Sequence, residues 1–96
     1  MTQKSDPLVA VVIPVKDEAE NIAELLSGIV AACASYEKYE VVAVDDGSTD
    51  LTATIVSDMA RENPAIRLIQ HNQSGGQSAA VHTGVHASRA KLICTL

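Results

Sequence analysis

The residues best suited to chemistry in this chain run Asp45-Asp46-Gly47-Ser48-Thr49-Asp50. Two adjacent carboxylates leave an apolar run together, and a third stands close by at Asp50. A carboxylate accepts hydrogen bonds from the imide N–H of a nucleobase or from ribose hydroxyls. Two side by side repel each other and exceed what a turn needs, which favours ligand binding for Asp45 and Asp46. Gly47 gives the backbone the freedom to take a positive φ between them and the next helix. Asp50, with Ser48 and Thr49, is accounted for as a helix cap. A calcium loop is excluded, because the D-x-D-x-D-G spacing is absent.

Two further stretches have the composition of a site. Pro14-Val15-Lys16-Asp17-Glu18 follows an apolar run and precedes a helix, where backbone N–H groups face a ligand. Lys16 there either meets a phosphate or stays in solvent, and Asp17 with Glu20 has the spacing of a capping box. Ser74-Gly75-Gly76-Gln77-Ser78 opens another helix, and glycines at that place make an anion-binding turn. His71 stands at a strand end, in position to line the same cleft. His82 and His86 share a helix face, but Thr83 replaces the Glu of a zinc-protease motif, so both are read as solvated. No G-x-G-x-x-G follows the first strand, no P-loop is present, and no nucleophile elbow occurs.

These segments need a scaffold, and the apolar pattern supplies one. Leu8 to Pro14 reads as a strand covered on both faces, ended by Pro14, which cannot donate to a ladder. A helix is expected from about Glu18 to Ser35, with Ile22, Leu25, Leu26, Ile29, Val30 and Cys33 on one stripe. A strand over Glu40 to Asp45, a helix over Asp50 to Glu62 and a strand over Ile66 to Gln70 follow, with Asn63-Pro64 breaking the second helix. A small-residue helix from Gln77 to about Ser88 and a strand from Lys91 to Leu96 complete the order βαβαβαβ. This alternation predicts an α/β fold: a three-layer parallel sheet with right-handed crossovers. In such sheets ligands bind at the carboxyl ends of the strands, and all three candidate stretches fall there.

Composition bounds the partners. The chain has 96 residues and a net charge of −5, with Lys and Arg scattered, so no basic face exists for nucleic acid. Its only aromatics are Tyr36 and Tyr39, too few for stacking single strands. The apolar runs are too short to cross a bilayer, and no charged leader precedes them, which predicts a cytoplasmic protein. Cys33 and Cys94 are expected to be free, reduced and mostly buried.

Taken together, Val11-Val12-Ile13-Pro14-Val15-Lys16-Asp17-Glu18, Val44-Asp45-Asp46-Gly47-Ser48-Thr49-Asp50, and Asn72 with Gly75-Gly76-Gln77-Ser78-Ala79-Ala80 and Gly84 resemble the N-terminal half of a family 2 inverting glycosyltransferase with the GT-A fold. The last run is most like the polyprenyl-phosphate (dolichol-phosphate-type) sugar synthases. The resemblance covers Leu8 to Leu96, leaving residues 1–7 as an N-terminal tail and 8–96 as a truncated, Rossmann-like nucleotide-sugar-binding domain. It implies a UDP- or GDP-sugar donor and an acceptor such as polyprenyl phosphate or a growing glycan. Pro14, Val15 and Glu18 would lie against base and ribose, Asp45 or Asp46 would bind the base edge and ribose, and Gly75, Gly76, Gln77 and Ser78 would cover the nucleotide. The family usually has an aromatic residue and Asn where Lys16 and Asp17 stand. Its Asp-x-Asp motif, which holds Mg²⁺ or Mn²⁺, would begin just beyond Leu96, so no catalytic or metal residue is assigned within the chain. The resemblance therefore implies an inactive piece of a longer enzyme, one that associates with membranes, while the piece itself self-associates through an open sheet edge. Two other classes fit a parallel α/β domain: a non-catalytic nucleotide-binding or regulatory domain, and an assembly fragment without a ligand. A receiver domain would need an Asp where His71-Asn72 follow the third strand.

Overall fold

A computed structural model describes residues 6–96. The elements alternate as β1 (Val9–Val15), α1 (Ile22–Cys33), β2 (Tyr39–Asp45), α2 (Thr52–Glu62), β3 (Ile66–Gln70), α3 (Gln77–Ala87) and β4 (Leu92–Thr95). The sheet order is β3-β2-β1-β4, all parallel. The order turns at β1: the chain first builds outward through β2 and β3, then returns to place β4 on the other side. A parallel sheet binds ligands beside such a turning point, at the strands' carboxyl ends.

β1 continues past Pro14 to Val15, contrary to the expectation that proline ends it. Val12 accepts from Leu96 N–H on the β4 side, whereas Val15 accepts from Asp46 N–H on the β2 side. Backbone groups alternate in this way, so Pro14 faces the β4 side, beyond the last Val12–Thr95 pair. Its missing N–H therefore costs no ladder bond there.

Each face of the sheet has its own core. Val11, Ile13, Val15, Val41 and Ala43 meet Ile22, Leu26 and Ile29 of α1 and Val56 of α2. Val12, Val42 and Val44 meet Ala80 of α3. β1 and β2 are apolar on both faces because both faces are covered. α3 sits closer to the sheet than a larger helix could: a Cβ on Gly84 would come within 2.3 Å of Val12 Cγ1.

Three expectations are corrected. α1 begins at Ile22, not Glu18, with no side-chain cap at Asn21. Glu18 instead forms a turn, its carbonyl accepting from Asn21 and Ile22 N–H, so the Asp17–Glu20 capping box does not form. α2 likewise begins at Thr52 rather than Asp50. Cys33 and Cys94 are both free, but only Cys33 is buried; Cys94 lies exposed on β4 with Leu92, just before exposed Leu96. Burial, with Cys94 nearby as a lesser cause, pushes the Cys33 thiol above its ordinary range.

Candidate functional site

The loops after β1 and β2 are sewn together by short polar side chains. Asp17 takes a positive φ of 51°, which Asp tolerates better than most residues. Its carboxylate accepts from Thr49 N–H at 2.7 Å, and its own N–H donates to Ser48 Oγ at 2.8 Å. Glu18 N–H donates to Thr52 Oγ1 at 2.8 Å, and Ala19 N–H to Asp50 Oδ2 at 3.2 Å. Asp50 also accepts from the hydroxyl and N–H of Thr52. Those two donors, with Ala19, hold its carboxyl below the usual carboxylate range. Asp50 is thus structural, but it ties Thr52 to the β1 loop rather than capping α2, whose N-cap is Leu51 without a side-chain bond; Asp17 likewise is a clasp between loops rather than a helix cap.

The loop after β3 is organised around Asp46. This residue is 4% exposed, and both carboxylate oxygens are fully engaged. Oδ1 accepts from Gly75 N–H at 2.9 Å and lies 2.8 Å from His71 Nδ1. Oδ2 accepts from Ser74 Oγ and Gly76 N–H, each at 2.9 Å. A carboxylate only accepts, so His71 Nδ1 carries the proton; its Nε2 faces Thr83 Oγ1 at 2.9 Å. Gly75 first, then His71, Ser74 and Gly76, hold the Asp46 carboxyl well below its ordinary range, against the opposing effect of burial. The anion at the start of α3 is therefore the protein's own carboxylate. The two loops also touch directly: Gly47 has φ +80°, and a Cβ there would meet Ser74 N at 3.0 Å.

Between these loops lies a cleft of about 450 Å³. Of the residues expected at the site, Pro14, Val15, Glu18, Asp46, Gly76 and Gln77 line it, joined by Lys16, Ser74 and Leu96. Asp45 lies behind it, 2% exposed and bonded to Ser48 Oγ. Gly75 contributes through its bond to Asp46, and Ser78 borders a separate hollow with His82 and His86. His71 is turned beneath the loop instead of lining the cleft. Ser74 was the least legible participant; only its place before two glycines marks it. Its hydroxyl accepts from Lys16 Nζ at 2.9 Å while donating to Asp46, which joins the β1 end to the glycine loop.

Among the described residues no group of three or more His, Cys, Asp or Glu is placed to hold a metal ion. Asp45 and Asp46 do not form such a site: Asp45 is bonded to Ser48 of its own loop, and Asp46 to the loop after β3. No helix among the described residues is long and apolar enough to cross a membrane.

A parallel α/β sheet with a cleft at its turning point has the architecture of a ligand-binding α/β domain. The family model for "Glycosyl transferase family 2" matches residues 10–96, and the chain belongs to that family. It is 40% identical over 96 residues to an undecaprenyl-phosphate 4-deoxy-4-formamido-L-arabinose transferase of Edwardsiella ictaluri, covering 97% of this chain and 29% of that protein. It is 35% identical over 91 residues to a dodecaprenyl-phosphate galacturonate synthase of Rhizobium johnstonii, covering 91% and 26%. The mannosyltransferase PcManGT of Pyrobaculum calidifontis, solved with GDP-Man and Mn²⁺, superposes with a TM-score of 0.79 at 31% identity, over 94% of this chain and 27% of that one. The fold is thus the α/β layout of GT-A glycosyltransferases, and the chain spans less than a third of the length of these relatives.

Proposed function

We propose that this chain is the nucleotide-sugar-binding part of an enzyme that moves a sugar from a UDP- or GDP-linked donor onto polyprenyl phosphate, or onto a growing glycan, at the cytoplasmic face of a membrane. The observation that carries this is the cleft where Pro14, Val15, Lys16, Glu18 and Gln77 face one another beside the Asp46-built loop. The relatives' names support the acceptor class, and the GDP-Man complex of PcManGT supports the donor class.

Inverting transfer needs a base to deprotonate the acceptor and a cation to stabilise the departing diphosphate. In this reading residues 6–96 bind the donor but do not transfer sugar by themselves, and the Mg²⁺ or Mn²⁺ ligands are expected elsewhere in the enzyme. The outer edge of β4, with exposed Leu92 and Leu96, favours self-association of the isolated chain. Calorimetric titration with UDP and GDP tests the proposal. Saturable binding of at least one is expected, together with no turnover of the corresponding sugar nucleotide in the presence of polyprenyl phosphate. A chain that melts cooperatively yet binds neither nucleotide would overturn it.

A further inference from the structure

We infer that His82 and His86 form a binding site for one transition-metal ion of the zinc or nickel type, on the outer face of α3 and independent of the function proposed above. Of the chain's three histidines, His71 has both ring nitrogens engaged, by Asp46 and Thr83. His82 and His86 make no hydrogen bond or ion pair among the described residues. Their contact is with each other: the ring centroids lie 4.2 Å apart, with the planes tilted by 52°. The packing of α3 sets up this pair. Ala80 and Gly84 are buried against the sheet. Residues two further along point the opposite way, so His82 and His86 stand in solvent, one turn above the other. Both border a hollow of about 540 Å³, together with Ser78, Val81 and Val85.

The chemistry of the pair selects the ion. Neutral imidazole suits zinc, nickel and copper, whereas Mg²⁺ and Mn²⁺ prefer carboxylate oxygens. α3 contains no Asp, Glu, Lys or Arg, so no carboxylate on the helix draws a hard ion and none ties up a ring nitrogen. A helix holds the two rings on one side, and once one nitrogen binds, the second meets the metal at a high effective concentration. Water fills the remaining coordination positions, since only two protein ligands are at hand. His86 belongs to the last turn of α3, where the partial negative charge of the helix end favours a cation. Thr83 stands where a zinc protease has its Glu, so the pair binds metal without a base beside it.

The test titrates the untagged chain with Zn²⁺, Ni²⁺ and Mg²⁺ by calorimetry, as wild type and as His82→Gln, His86→Gln and Cys94→Ser. Cys94 is included because its exposed thiol is the competing ligand for a soft metal. Zn²⁺ and Ni²⁺ are each expected to bind saturably, one ion per chain, and Mg²⁺ not to bind. Either histidine variant should weaken Zn²⁺ and Ni²⁺ by about tenfold or more, about 1.4 kcal/mol, while Cys94→Ser leaves both unchanged. In NMR spectra Zn²⁺ should shift the ring signals of His82 and His86 together and leave those of His71 in place. Both replaced rings are exposed, so the variants keep the core intact. The inference is overturned if neither Zn²⁺ nor Ni²⁺ binds, if both histidine variants bind like the wild type, if Cys94→Ser alone abolishes binding, or if Mg²⁺ binds as well as Zn²⁺. The assay contains no nucleotide, so its result is separate from whether UDP or GDP enters the cleft.

Discussion

The two ends of the sheet each bury a carboxylate and treat it differently. At the amino end Glu40, 6% exposed, receives Arg67 Nη1 at 2.8 Å and Ser88 Oγ at 2.8 Å. Arg67 also donates to the Ala87 carbonyl, so the charge is matched and the donors are used internally. At the carboxyl end Asp46 is held by two backbone N–H groups, a hydroxyl and an imidazole. Among the described residues the nearby charges of Lys16 and Glu18 have no ionic partner. A buried carboxylate alone does not mark a site; the unmatched charges around it do.

Gly84→Val should break both ends at once. The first turn of α3 follows the Asp46-bound loop, and Ser88 at its far end holds Glu40, so lifting α3 off Val12 disturbs each. The expected loss is about 3 kcal/mol of unfolding free energy by denaturant titration. Gly84→Ala should cost less, as its single methyl needs a smaller shift.

Asp46→Asn should break the carboxyl end alone. An amide puts a donor where Ser74 or Gly76 already donates. The wild-type contribution of Asp46 also depends on pH in a defined direction. Its carboxyl is held below the ordinary range, so the stabilisation is complete above about pH 4, the unfolded value, and fades as pH falls through the lower folded value. Melting curves from pH 7 to pH 2 should show the wild type losing Tm below about pH 4. Asp46→Asn should start lower and change less, with Asp50 supplying part of the slope that remains.

Arg67→Met sharpens the contrast from the other side. Removing the cation strips Glu40 of its ionic partner at a site where Arg67 is itself half-exposed. About 1–2 kcal/mol of stability should go, with UDP and GDP affinity unchanged. A change in nucleotide affinity would show that the two ends are coupled through α3. The smallest effect is expected at His86→Ala. His82 and His86 are exposed, their rings 4.2 Å apart, and stability should move by less than about 0.5 kcal/mol.

Much of this arrangement was legible in the sequence. Apolar runs of strand length, separated by helical segments, fixed the parallel sheet. The positive φ at Gly47 was readable from Asp-Gly-Ser. Asp17 was not: its clasp depends on Thr49, which is remote in sequence and adjacent only once β1 and β2 pair. The role of Asp46 was hidden for the same reason, since its donors come from residues 71–76. Pro14 misled because a proline's cost depends on which side of the strand its nitrogen faces. Lys16 was noticed, but only the fold puts it against Ser74.

The most direct measurement is an amide-resolved NMR titration of the chain with UDP and GDP. Saturable shifts at Val15, Lys16, Glu18, Gly76 and Gln77, with Tyr39 and Arg67 unmoved, are the predicted result. A well-dispersed spectrum that stays still with both nucleotides, or that moves at the amino end of the sheet, would contradict a nucleotide site at the carboxyl end.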